Sequence, residues 1–454
     1  MNSAQKFVTH ALTTRFSDLP PEAVRAAKTF ILDTIGVGIA GRRAPLADDV
    51  FGAVSNWGAG EGAHVFGRQC KLPTLNAAFV NGFQIHCQEY DCVHETAVVH
   101  PLATILSSLL AVADERGNVA GKEFIAAVAV AVDIAAGLGV AAKSGIRFFR
   151  PANAGIFGAA LGIARLREFS EQQALDALGY ALAFCSGTMQ AHVEGKPALP
   201  LQIANAARGA VAACDISAAG VPGPNDVIDG PFGYLQLFET ETDIAPVLQS
   251  LGKVWRIAEV SHKPFPTGRA AQGGIVAVQK LRDLGATPES IEKLTLTAPP
   301  LIHRLVGRPY RHDMTANYAR LCFAYCGAVT LANGAVGLED FSAERLADPD
   351  IALTAQKISV IDDGSSDPAA FTPQFATALL KNGESLKAEV RSLYGSPADP
   401  LTETAHIEKF RRCVRFGLGD HSGDCDQKLI EIVEELEMRA DVSILSRLAA
   451  GMQE

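Results

Sequence analysis

Between Asn81 and Pro101 the chain reads NGFQIHCQEYDCVHETAVVHP, which gathers His86, Glu89, Asp91, His94 and His100 into one short stretch. Only 11 of the 454 residues are histidine, so this density singles the stretch out. Imidazoles interleaved with carboxylates supply acid and base capacity near neutral pH, and an apolar run, LATILSSLLAVAD, follows at once to form a wall beside them. The spacing fits neither HExxH nor a Cys/His finger, so the expected use is acid/base chemistry or substrate binding and no metal is expected. The bland alternative is ordinary polar packing at a helix start.

Three further segments carry candidate groups. In GIRFFRPANAGIFGAALG, Arg147 and Arg150 precede a Gly/Ala-rich helix, a suitable place to grip a carboxylate; a solvated surface arginine is the ordinary alternative. In SHKPFPTGRAAQGG, Lys263 sits between His262 and two stiffening prolines, and Arg269 opens a helix. A lysine on a rigid turn exchanges protons if burial lowers its pKa; otherwise it is an exposed turn residue. In YARLCFAYCGAV, Arg320 and Tyr325 flank an apolar face, and a core aromatic is the default for Tyr325. The sequence contains no GxSxG, the glycine-rich run from Gly268 to Gly274 has neither GxGxxG nor the Walker arrangement, and the nine cysteines include no CxxC pair. Acyl transfer, nucleotide binding and a disulfide or zinc framework are therefore not expected.

The elements that must position these groups are mostly helices. Pro20-Pro21-Glu22 opens one that runs through VRAAKTFILDTIGVGIAG. Others are expected around 75–83, 102–113 and 122–141, and Ser170 with Gln173 forms a capping box ahead of ALDALGYALAFCSG. The apolar 124–142 segment carries Asp133 and reads as a buried bundle helix, not a membrane span. A Gly/Pro-rich loop covers 218–238. Helix is then expected over 275–283 and 318–333, and strands from Ile291, Ala355, Pro373 and Ser385. Helical patterns resume after Asp399-Pro400, too short and one-faced to bury themselves, so they should rejoin the first domain. The fold class is mainly α: a large all-helical domain from 1–265 and 400–454, and a smaller α+β domain over 266–399.

Lys and Arg total 40 against 50 Asp and Glu, which argues against a nucleic-acid partner, and no segment calls for a membrane. Free thiols and the lack of a leader-like start suit a reducing, cytoplasmic setting.

Taken together, LDTIGVGIAG at 32–41, the 81–101 stretch, RPANAGIFGAA from Arg150, EGKPALPLQIANAARGA at 194–210, HKPFPTGRA at 262–270 and ARLCFAYCGAV at 319–329 resemble the MmgE/PrpD family. The resemblance implies a large helical domain with a smaller α/β domain, a homodimer, a small polycarboxylate substrate and no metal or organic cofactor. It aligns His100, Lys263 and Tyr325 with the family's histidine, lysine and tyrosine, and Glu89 and Asp91 with its acidic positions. It also implies departures: Cys92-Val93 replace an Asp-Thr pair, Arg150 and Gln202 replace histidines, and Leu199 replaces a lysine, with Lys196 close by. Those losses remove leaving-group machinery and favour a shorter task, 1,1-proton transfer alpha to a carboxylate, as in the family's iminodisuccinate epimerase. On this reading His100 and Lys263 are the opposed acid/base pair, Tyr325 a relay, and Arg150 a carboxylate clamp. Arg269, His86, His94, Glu89 and Asp91 line or tune the site. The alternatives are dehydration of 2-methylcitrate or a related tricarboxylate, decarboxylation of cis-aconitate, and a non-catalytic helical binding protein.

Overall fold

The computed structural model describes residues 1–367 and 369–452. The large unit is a helical bundle. Its principal helices are α1 (Ser3–Thr13), α2 (Pro21–Gly41), α3 (Thr74–His86), α4 (Pro101–Arg116), α5 (Gly121–Ala141), α6 (Arg150–Leu166), α7 (Glu171–Ala183) and α8 (Ala198–Ala218). α2, α4 and α6 begin with proline in the first turn, where its missing N–H would be unpaired anyway. Ser170 accepts a hydrogen bond from the Gln173 amide, as the capping box requires. α5 is almost wholly buried, and its Asp133 is met by the Arg256 backbone amide at 2.7 Å and by His10 Nε2 at 3.0 Å, the bundle-helix arrangement.

Small residues bring these helices close. A Cβ built on Gly41 would lie 1.9 Å from the Gln84 carbonyl oxygen, so only glycine lets α2 reach the end of α3 where His86 sits. Likewise a Cβ on Gly139 of α5 would lie 2.6 Å from the Ala97 oxygen, in the turn that precedes His100.

The smaller unit contains α9 (Arg269–Asp283), α10 (Phe323–Asn333) and a four-stranded sheet of β1 (Ile291–Ala298), β2 (Ile358–Asp362), β3 (Gln374–Leu380) and β4 (Ser385–Val390), in the order β2-β1-β3-β4. β1 and β2 are parallel, with Leu294 opposite Ile358, and α10 lies in the crossover between them; the other pairings are antiparallel. Leu294, Leu296, Ala376 and Ala378 are buried on the sheet face that takes the helices. The chain then returns to the bundle as α11 (Glu403–Leu418), which packs on α2. One apolar core draws on residues 4–260, Leu321 and 410–449, and a second draws on residues 265–393.

α9 starts at Arg269, where the sequence places a helix opening, and its buried small residues Ala270, Ala271, Gly273 and Gly274 join that start to the expected 275–283 stretch. One helix expectation needs correction. The expected 318–333 helix is broken into Ala316–Ala319 and α10. At the break the Arg320 carbonyl accepts from the Gly268 amide and Cys322 bridges to Gly307, so the backbone serves the connection between the units and not a continuous helix.

Candidate active site

The 81–101 stretch folds as the last turns of α3, a tight loop and the first turn of α4, and the connector before α9 lies across it. Within this crossing, Asp91 is fully buried and its Oδ2 receives two imidazoles, His86 Nδ1 at 3.0 Å and His100 Nδ1 at 3.1 Å. The two rings meet edge to face, centroids 4.9 Å apart. Lys263 Nζ is also fully buried; it donates to the Glu89 carboxylate at 2.9 Å and to the Glu89 carbonyl at 3.1 Å, and it lies 3.7 Å from Asp91 Oδ1. Glu89 adopts φ 51°, the left-handed region that costs a non-glycine residue about 1–2 kcal/mol. The lysine grip on both ends of that residue, with the Glu89 amide on the His86 carbonyl, holds the conformation.

The charges follow from this geometry. Burial alone would raise Glu89, but Lys263, then His86 and His100, outweigh it and hold the carboxyl at about 2. Asp91 lies well below the carboxylate range for the same reasons, against the same burial. The two imidazoles are pushed apart. His86 is lowered by burial but raised further by Asp91 and Glu89, so it favours the imidazolium; His100 is lowered, by burial and then by Lys263. Groups with such diverging environments divide into proton holder and proton acceptor. With Nδ1–H donated to Asp91, neutral His100 turns a bare Nε2 outward, and its side chain is 13 % exposed while that of His86 is 1 % exposed.

His100 and Glu89 face a cavity of about 570 Å³ including its mouth, between the two units, whose lining also includes Val98, Phe149, His192, Leu199, Arg269 and Leu321. His192, on the short helix Gln190–Glu194, contributes a second imidazole. Burial, then the neighbouring Arg308, lowers it to about 4, so it is neutral at pH 7. Sequence reasoning missed it: one histidine in a five-residue helix has no periodicity, and its only signal is its place just before the EGKPALP segment.

Other candidates stand elsewhere. Lys263 belongs to the cluster but lies behind Glu89 and does not line the cavity, so it cannot face His100 across a substrate; the opposed-pair expectation is corrected. Arg150 is not a free clamp, because Nε and Nη2 both bind the Glu239 carboxylate, at 2.8 and 2.9 Å, and Nη1 donates to the Ala97 carbonyl. Tyr325 is buried in the core of the smaller unit and donates to the Asp340 carbonyl; burial raises its pKa, and it is no relay for this site. His94 binds Glu259 at 2.9 Å on another face. Arg269 does line the cavity, with its guanidinium taken by Glu95 at 2.7 Å and the Tyr394 carbonyl at 2.7 Å. Lys196 is exposed and away from the cavity, whereas Leu199 is part of its wall.

His86, Asp91 and His100 each offer a ligand atom within 4.8 Å of the others, the spacing a metal ion needs. Both Nδ1 atoms, however, are already spent on one Asp91 oxygen, and a dication there would face the Lys263 ammonium 3.7 Å from the other oxygen. The donor set fits a proton better than a metal.

Residues 5–247 match the MmgE/PrpD N-terminal domain and residues 265–436 match the MmgE/PrpD C-terminal domain. The chain belongs to the MmgE/PrpD family. Similar members include the cis-aconitate decarboxylase of Mus musculus, 26 % identical with 94 % of this chain and 89 % of that protein covered. Those of Homo sapiens and Aspergillus terreus are 25 % and 23 % identical, covering 98 % and 95 % of this chain and 94 % and 92 % of theirs. Family membership and these relatives make the chain an enzyme. The relatives are named as decarboxylases, so the isomerase class expected from the motif departures draws no support from them.

Proposed function

We propose that this MmgE/PrpD enzyme moves a proton at the carbon alpha to a carboxylate of a small di- or tricarboxylic acid, without a cofactor, and that its overall reaction is decarboxylation. The carrying observation is His100: its Nδ1 is anchored on Asp91, its Nε2 is turned outward, and it is the only partly exposed imidazole of a buried, charge-paired cluster. An entering carboxylate places negative charge in a largely apolar cavity and raises the His100 pKa, which loads it as imidazolium. Loss of carbon dioxide from a carboxylate one carbon removed from a C=C sends the bonding electron pair through that double bond to the carbon alpha to a remaining carboxylate, which delocalises it. His100 then gives that carbon its proton and returns to the neutral form, so charge and atoms balance. One face suffices, in keeping with a one-sided cluster and with relatives named cis-aconitate decarboxylase.

A second reading, epimerisation of iminodisuccinate by 1,1-proton transfer, is favoured by one observation: His192 lines the same cavity and supplies a second imidazole. Both readings are tested by offering cis-aconitate and iminodisuccinate in deuterated water and following the products by NMR. Carbon dioxide release with one deuterium on the product supports the first, and inversion with deuterium at one carbon the second. His100→Asn should lower kcat by about 10²–10⁴ with the fold intact. Near-normal turnover by that variant would remove His100 from the reaction.

A further inference from the structure

The cavity that His100 faces is a poor receptacle for three carboxylates. Arg269 is the one Lys or Arg among the described residues lining it, and that guanidinium is already bound by Glu95 and the Tyr394 carbonyl. The lining also holds Glu89, an anion. The other nearby cations do not line the cavity and are engaged elsewhere: Lys263 with Glu89, Arg308 with the His192 carbonyl at 2.8 Å, Arg304 with the Ile146 carbonyl, and Arg320 over the Phe341 ring. What remains to compensate substrate charge is the proton that an entering carboxylate draws onto His100 and onto His192, both neutral in the empty cavity, which matches two carboxylates and not three.

The rest of the wall is hydrocarbon. Val98, Ile146, Phe149, Met189, Leu199 and Leu321 are among its side chains. Val98 is held at φ 50°, an outlier for a β-branched residue, in a turn closed by His94 and Val99. Such a conformation persists only where its surroundings fix it, and here its residue is part of the cavity wall.

From these observations we infer that the substrate is a dicarboxylic acid carrying a hydrocarbon substituent of several carbons, with the substituent against this wall in place of a third carboxylate. The inference rests on the proton-transfer reading for the reacting end and specifies the other end. Its test is calorimetric binding at pH 7 of two non-reacting acids, 2-butylsuccinate and tricarballylate. The wild-type enzyme should bind 2-butylsuccinate at least tenfold more tightly. Leu199→Lys, which sets a cation in the wall, should reverse the order; Met189→Lys, at a half-buried wall position, repeats the test should the first variant fold poorly. Equal or tighter binding of tricarballylate by wild type overturns the inference. A parallel arm offers 3-butylglutaconate, which keeps the CH2-carboxylate beside the double bond and has butyl in place of the third carboxylate, and cis-aconitate, both in deuterated water. Tight binding of butylsuccinate with neither acid decarboxylated or deuterated leaves the ligand class standing and sinks the reaction reading. Turnover of cis-aconitate with weak butylsuccinate binding does the reverse.

Discussion

Two buried clusters of the same residue types lie one residue apart at the crossing of the units. Lys263 belongs to the first, with Glu89, Asp91, His86 and His100; its neighbour His262 belongs to the second, with Asp33, His406 and Lys409. In the second, Lys409 lies 2.8 Å from Asp33, His262 Nε2 meets His406 Nδ1 at 3.2 Å, and the Phe30 ring packs on His262. Both clusters offer three metal-type ligands, and each sets a lysine against a carboxylate. They differ in access. His100 reaches a cavity, whereas Asp33, His262 and His406 are all buried and none lines the cavity. Composition alone therefore does not distinguish a working cluster from a brace; one partly exposed imidazole does.

The largest expected effect that separates them comes from the lysines. Lys263→Met and Lys409→Met should each destabilise the fold by about 3–5 kcal/mol, because each leaves a buried carboxylate without its cation. Denaturant titration measures that loss. Only Lys263→Met should also move the pH–rate profile, since Glu89 and His100 both depend on its charge. A profile shifted equally by Lys409→Met would erase the distinction.

A second, smaller difference lies in acid sensitivity. Burial lowers His262 to about 3, with Asp33 acting against it, while in the unfolded chain it titrates near its ordinary 6.5. Above 6.5 both states are neutral at this residue and pH has no leverage. Below it the unfolded state binds the proton first, so stability falls as pH drops toward 3, by on the order of 1 kcal/mol per unit. Chemical denaturation between pH 7 and 4 should show that slope, and His262→Phe should flatten it; an unchanged slope would mean that His262 is not the group responsible.

The working cluster was partly legible in the sequence and the brace was not. His86, Glu89, Asp91 and His100 lie within one stretch, and Lys263 was marked by its flanking prolines, so local density exposed them. Their relative placement was not legible: whether Lys263 faces His100 or backs Glu89 depends on how the connector crosses the loop, which no local pattern encodes. Arg150 looked free because its partner, Glu239, lies 89 residues away, just past the Gly/Pro-rich stretch. Asp33, His262 and His406 come from three distant segments, and His192 from a helix too short to have a period. The fold fared better, since helices and strands declare themselves by periodicity; the misjudged helix at 318–333 broke where its backbone served a distant segment.

The smallest expected effect concerns Tyr325, which the family resemblance groups with His100 and Lys263 but which the fold sets in the core of the smaller unit. Its hydroxyl donates to the Asp340 carbonyl beside the Phe341 ring. Removing that hydroxyl leaves one carbonyl short of a donor, a loss of about 1 kcal/mol, and leaves the cavity lining untouched. Tyr325→Phe should therefore lower the thermal midpoint by only about one degree while kcat and KM stay within twofold of wild type. A hundredfold fall in kcat at unchanged stability would return the tyrosine to the reaction and require the units to rearrange around substrate.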